Sequence, residues 1–251
     1  MLWSALGFEP AGVFACVGAG GKTSLIQSLA AEAVRKERPV LVTATTKMFY
    51  DQIAGYRLLL SPVDTEGTGT IALNLQPGET AAWFAGQEGS KVVGVSPQGI
   101  DKVAASAPNA CILVEADGAR RCLIKAPAVH EPVIPDSTVM TIGVLNLTSL
   151  GRPLTEDNTH RLELVTKIVG KQAGAIIEWQ DLAKLAIHRH GIFQHARGTK
   201  VLLLSGAAKS GWEIAARQVA GYVKIAGTAI ERVVITAGFG NSMQVNEVYL
   251  L

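Results

Sequence analysis

Lys22 and Thr23 sit near the end of the stretch Gly18-Ala19-Gly20-Gly21-Lys22-Thr23-Ser24, a composition suited to holding phosphate. Glycines let backbone N–H groups converge on phosphate oxygens. The lysine then reaches the outer phosphates, and the Thr or Ser hydroxyl ligates magnesium. The eight-residue form of such a loop carries glycine six positions before its lysine, where this chain has Cys16. The shorter form, Gly-x-x-Gly-Lys-Thr, is complete in Gly18, Gly21, Lys22 and Thr23. A tight strand-to-helix turn also wants glycine, but Gly-Gly-Lys-Thr at this place is more than a turn demands. The loop therefore predicts a nucleoside triphosphate, with Mg2+, as ligand.

Magnesium needs a carboxylate near its water shell. The run Ala-Cys-Ile-Leu-Val-Glu at 110–115 is an apolar strand that ends in Glu115, with Asp117 two residues on. Ligands of open α/β sheets bind at such C-terminal strand ends. Either carboxylate could meet the metal, directly or through water. Thr45-Thr46-Lys47-Met48 follows the second strand, where a switch-like loop would sense the outer phosphate. A hydroxyl of Thr45 or Thr46 would complete the coordination, and Lys47 would stabilise transferring charge.

Further polar residues crowd the stretch after the acidic strand: Arg120, Arg121, Lys125, His130 and Glu131. Its three prolines argue for an irregular loop, and such loops often carry function. Lys125 and Arg120 could clamp phosphate or an acidic substrate, and His130 could move a proton. Thr155, Glu156 and Asp157 read as the cap and first turn of a helix over 155–169, which places His160 and Arg161 one turn in. A substrate-facing role for those two is open. His188, Arg189 and His190 lack the spacing of a histidine metal site and read as a solvated helix end.

The elements that must position these groups alternate between short β-branched runs and helical stretches, as a parallel sheet with crossover helices requires. Strands are expected at 13–17, 39–43, 57–60, 70–75, 91–95, 110–115, 138–144, 200–204 and 232–236, with an edge strand at 245–250. Helices are expected at 22–35, 98–107, 155–169, 180–188 and 211–225. The fold class is α/β, P-loop NTPase-like, a mostly parallel sheet flanked by helices. A single domain spans 1–251, its motif-rich core at about 10–170. Hydrophobic residues at 48% with only 6% aromatics suit a sheet packed by Ala, Val, Leu and Ile on both faces.

A formal charge of +2 without like-charge runs gives no footprint for nucleic acid or anionic lipid. No run approaches the roughly 18 apolar residues of a membrane span, and the start lacks the basic, apolar pattern of a secretory signal. The three cysteines form no CxxC pair and read as small buried hydrophobes. The expected setting is cytoplasmic.

The shortened loop resembles that of Mur-type amide ligases. Several segments together resemble one family more specifically. VGAGGKTS, TTKM, VEADGAR with KAPAVHEPVIP, and GRPLTEDNTHR occur in this order in the YqeC family, described as accessory to selenium-dependent molybdenum hydroxylases. The resemblance covers residues 10 to 170 and continues more weakly beyond. It implies a nucleotide-binding protein that matures a selenium- or molybdenum-containing enzyme, with that hydroxylase or its cofactor-maturation proteins as partners. It marks Gly21, Lys22 and Thr23 as the nucleotide loop, and Asp117, Lys125, His130, Glu131, His160 and Arg161 as family motif positions. A guanine-reading Asn-Lys-x-Asp sequence is absent from Leu204-Ser205-Gly206-Ala207-Ala208-Lys209, so ATP is expected over GTP. The expected activity is NTP hydrolysis. A kinase- or ligase-like transfer to a small precursor is the alternative, and a non-catalytic docking module the third.

Overall fold

A computed structural model describes residues 1–60 and 75–251. The expected strand at 70–75 and the turn glycines at 67–69 therefore fall almost wholly outside the described residues. The main sheet is built from β1 (Gly12–Gly18), β2 (Val40–Ala44), β3 (Arg57–Leu60), β4 (Thr80–Phe84), β5 (Cys111–Glu115), β6 (Thr138–Asn146), β7 (Thr199–Ser205), β8 (Ile230–Ala237) and β9 (Gln244–Leu250). Their order across the sheet is β9-β8-β7-β6-β1-β5-β2-β4-β3. All neighbouring pairs are parallel except β8 with β9 at one edge. The expected α/β class, a mostly parallel sheet flanked by helices, is the observed one.

The helices are α1 (Leu2–Leu6), α2 (Lys22–Arg35), α3 (Pro97–Ser106), α4 (Leu162–Val169), α5 (Trp179–Ile187) and α6 (Ser210–Ile225). β1 shows why both faces need covering. Phe14 and Cys16 pack with Leu25 and Leu29 of α2, whereas Val13, Ala15 and Val17 pack with Ile100 and Val103 of α3. A strand apolar on both sides must be sandwiched. A third cluster joins α4, α5 and α6 to Leu202 and Leu204 of β7 and Val233 and Ile235 of β8. β1 lies between β5 and β6, so the loop after β1, the acidic end of β5 and the Asn146 end of β6 meet on one side of the sheet.

Two expectations need correction, and one strand of the main sheet was not expected. The strand at 91–95 is shorter, Lys91–Val93, and pairs antiparallel with Met48–Phe49 and Gly86–Glu88 in a separate small sheet. Thr80–Phe84 supplies the main sheet instead, although its Thr-Ala-Ala-Trp-Phe sequence carries no alternation. The helix expected from Thr155 begins only at Leu162. Before it, Thr159–His160 pairs in parallel with Ile124–Lys125, a long-range pairing that outcompetes the local capping signal.

Candidate functional site

The loop after β1 is shaped by close approach of backbone. Gly18 has φ 91°, and a Cβ there would meet the Val144 carbonyl oxygen at 2.3 Å. Gly20 has φ 71°, and its Cβ would lie 2.5 Å from that of Asn146 and 2.7 Å from the Leu123 carbonyl oxygen. Only glycine satisfies both demands. Asn146 Nδ2 and Ser205 Oγ donate to the Gly20 carbonyl at 2.6 and 2.9 Å, fixing the loop from β6 and β7. α2 starts directly behind it, with no side-chain cap and no acidic residue in its first turn. Its first N–H groups and dipole thus face the loop, an arrangement that favours an anion. A glycine loop between strand and helix, followed by Lys-Thr, is of P-loop type and suggests nucleotide binding.

Lys22 is buried, and its Nζ donates to the Gly18 carbonyl at 2.7 Å and to Asp117 Oδ1 at 2.8 Å. Asp117 is a hub. Its Oδ2 accepts the Gly18 N–H at 3.1 Å and lies 2.9 Å from Lys125 Nζ. Lys125, 0% exposed, also donates to the Gly118 carbonyl at 2.6 Å and to Glu131 Oε2 at 3.1 Å. Glu131 in turn forms a two-pronged pair with Arg161, both contacts at 2.6 Å. Alternating charges thus run from Lys22 through Asp117, Lys125 and Glu131 to Arg161. Burial alone would raise the Glu131 carboxyl, but its hydrogen bonds from Arg161 and the Lys125 charge outweigh it and hold the group at about 2.

The two carboxylates of the β5 end differ sharply. Asp117 is enclosed by Lys22, Lys125 and the Gly18 N–H. Glu115 lies 3.9 Å from Lys22 Nζ and keeps Oε2 buried without a hydrogen-bond partner. Burial pushes its carboxyl up, more than Lys22 and Lys125 pull it down. The carboxylates of Asp117 and Glu115 in turn act on Lys22. Burial lowers it, but Asp117 and Glu115 win and raise it, so Lys22 remains a cation.

A cleft of about 410 Å³ opens over the loop, lined among others by Gly20 to Thr23, Glu115, Thr46, Lys47, Phe49 and Gln52. Thr46 Oγ1 is a second buried atom without a partner. Thr23 Oγ1 accepts from Gln52 Nε2 at 2.6 Å. Thr23, Thr46 and Glu115, all oxygen-bearing, thus line one space. An all-oxygen set with an unpartnered carboxylate fits Mg2+. Among the described residues no group of three or more His, Cys, Asp or Glu gathers as a metal site. Magnesium here would therefore lean on hydroxyls and on phosphate oxygens of its nucleotide.

Lys22, Lys47, Lys91, Arg120, Arg121 and Arg161 line the cleft against the carboxylates of Glu115 and Glu131, a strong excess of positive charge. His160 lines it too, its imidazole pushed down to about 4 by burial, then by Arg161, Lys125 and Arg120. Lys47 is exposed and pairs with Glu88.

Several expected roles meet a different geometry. Lys125 is sealed by hydrogen bonds to the Gly118 carbonyl and Glu131 and by an ion pair with Asp117, and it does not line the cleft. His130 is exposed and stands outside the cleft wall. Thr45 is also withheld, because its hydroxyl donates to the Val133 carbonyl at 2.7 Å. Asn146, Ser205, Gln52 and Phe49 belong to the site without having stood out in the sequence. A polar Asn-Leu-Thr-Ser run closing the apolar β6 was the available signal for Asn146.

The profile of the family described as YqeC protein matches residues 14–163, from β1 to the start of α4. This chain belongs to the YqeC family. The match includes the loop, the acidic strand end and the run through Arg161, the segments on which the resemblance rested. The chain is 34% identical to Uncharacterized protein YqeC of Escherichia coli (strain K12) over 187 residues, covering 73% of this chain and 70% of that protein. It is similar in structure to chloroplast FtsY from Physcomitrella patens, with a TM-score of 0.48 and 15% identity. That similarity covers 95% of this chain and 63% of the FtsY chain, so this YqeC-family chain spans less than two thirds of the FtsY length. No helix among the described residues is long and apolar enough to cross a membrane.

Proposed function

We propose that this chain binds a nucleoside triphosphate with Mg2+ in the cleft over Gly18–Ser24 and hydrolyses it, with ATP preferred to GTP. The observation that carries the reading is that Lys22, Thr23, Thr46 and Glu115, whose Oε2 has no hydrogen-bond partner, all line one cationic cleft. Loop N–H groups and the first turn of α2 would hold the phosphates. Lys22 spends two of its three hydrogens on Gly18 and Asp117, and the third is free for an outer phosphate oxygen. Asp117 acts as a positioning residue that fixes Lys22 and the Gly18 N–H.

Thr23, Thr46 and Glu115 would hold the metal, Glu115 directly or through water. Bound there, Mg2+ would neutralise charge on the phosphates. Lys47 and Lys91 would add positive potential where charge builds on the outer phosphate. ATP is favoured because the Leu204–Lys209 segment lacks a guanine-reading motif.

In the cell, the family resemblance supports a role in maturing a selenium- or molybdenum-dependent hydroxylase. Co-purification of such a hydroxylase with the full chain, dependent on Lys22, would support that role. Loss of dependence on Lys22 would separate the partner from the nucleotide.

The direct test is calorimetric titration with non-hydrolysable ATP and GTP analogues, with and without Mg2+. Magnesium-dependent binding of the ATP analogue, abolished in a folded Lys22→Ala variant, is the expected result. Equal affinity in that variant would overturn the loop assignment.

A further inference from the structure

Next to the phosphate cleft lies a second cavity of about 500 Å³, and the two share Arg120, Cys122, His160 and Arg161 in their walls. The backbone there is unusual. Among the described residues five non-glycines have positive φ, and three are arginines: Arg120 at 48°, Arg121 at 63° and Arg161 at 59°. All three line the phosphate cleft. A left-handed conformation costs an ordinary residue about 1–2 kcal/mol, and such strain collects where side chains must be aimed.

The three arginines are aimed differently. Arg121 stacks on Phe49 with its guanidinium carbon 4.4 Å from the ring centre and pairs with Asp51 at 2.7 Å. Arg161 is locked by Glu131 through two of its five N–H donors, which leaves three to offer. The Arg120 guanidinium has no hydrogen-bond or ion partner among the described residues, and it stands on the wall between the two cavities. Beyond it the second cavity is edged by Glu156, Asp157 and Glu163. That acidic rim repels a second polyanion but tolerates a small molecule with one anionic end.

We propose that Arg120 and Arg161, with His160 beside them, form a second anion subsite at the junction of the two cavities, which takes a small molecule bearing a carboxylate or phosphate. The neutral imidazole of His160 orients that ligand by hydrogen bonding without adding charge. The subsite itself does not depend on the nucleotide reading. Only its role as the place of a second substrate beside the nucleotide rests on that reading.

The test uses inorganic phosphate as probe, titrated calorimetrically into the full chain preloaded with Mg2+ and a non-hydrolysable ATP analogue. Wild type binds phosphate; Arg120→Gln weakens it at least tenfold and lowers the affinity for the analogue far less. Arg120→Lys, which keeps the charge, restores part of the phosphate affinity and guards against a folding defect in the first variant. In Lys22→Ala, titrated without nucleotide, phosphate binding persists. Absence of phosphate binding in wild type overturns the proposal. So does an equal loss of phosphate and nucleotide in Arg120→Gln, which would put Arg120 on the nucleotide's own outer phosphate. Loss of phosphate in Lys22→Ala also overturns it, since the probe would then be sitting in the loop. If wild type takes no nucleotide but phosphate binding is kept in Lys22→Ala and lost in Arg120→Gln, the subsite stands and the nucleotide reading falls.

Discussion

Lys22 Nζ lies 2.8 Å from Asp117 Oδ1 with both side chains almost fully enclosed, at 4% and 1% exposure. The lysine of the loop is therefore held by a carboxylate that is itself held by Lys125 and by the Gly18 N–H. Two residues whose codes both suggest chemistry are thus tied together, Asp117 fixing the position of Lys22.

Asp117→Asn is expected to destabilise the fold by about 3–5 kcal/mol, because it leaves Lys22 and Lys125 buried without their shared counter-charge. Urea unfolding measures this. The Mg2+ concentration that half-saturates nucleotide binding should stay the same in whatever fraction remains folded. An unchanged unfolding midpoint together with a lost magnesium response would show Asp117 to be a metal ligand instead.

Glu115→Gln should behave in the opposite way. Its Oε2 is unpartnered and burial already disfavours its charge, so stability changes by less than about 1 kcal/mol. Magnesium-dependent affinity for the ATP analogue should fall tenfold or more while metal-free affinity holds. Titrations of the analogue at several Mg2+ concentrations read both, and equal losses with and without metal would remove Glu115 from the metal shell.

Acid should weaken the fold in two steps. His160 titrates at about 4 in the folded chain against 6.5 for the free side chain, so the unfolded state gains its proton first and stability falls as pH drops from 6.5 towards 4. Glu131 is held at about 2 against 4.5, so its contribution is complete above 4.5 and is lost as pH falls towards 2. Urea midpoints of wild type and His160→Gln across this range should diverge between pH 6.5 and 4, the variant losing less. Parallel curves in that window would mean that His160 is not held neutral.

Gln52→Ala should tighten magnesium-dependent nucleotide binding several-fold. The amide Nε2 of Gln52 donates to Thr23 Oγ1 at 2.6 Å, so it competes for the hydroxyl that would ligate the metal. Comparison of ATP-analogue affinities in the presence of Mg2+ decides this. Weaker binding in the variant would mean that Gln52 supports the ligand rather than occupying its place.

Legibility varied along the chain for physical reasons. The loop and the acidic strand end were readable because their chemistry is contiguous: six to eight residues carry the glycines, the lysine and the hydroxyl, and a short apolar run delivers the carboxylates. Helix α2 was readable to the residue, since Lys22–Arg35 is a sustained run of helix formers. Thr155–Arg161 was misread because Thr-Glu-Asp resembles a helix start locally, while Thr159–His160 is drawn into pairing by Ile124–Lys125, more than thirty residues earlier. Thr80–Phe84 was missed because a short strand buried in a sheet has no alternation to show.

The sequence by itself determined that a phosphate loop sits between a buried strand and a helix, inside an α/β fold of the YqeC family. Those facts live in local spacing and in the apolar runs. Only the tertiary structure decided which charged residue faces which. Lys125 and Asp117 are sealed inside a buried ion chain, His130 is left outside the cleft, and Glu115, Thr46, His160 and the three left-handed arginines are gathered around it. A charged side chain carries the same letter whether it is enclosed or exposed, and its partners come from strands that are neighbours only once the sheet has formed.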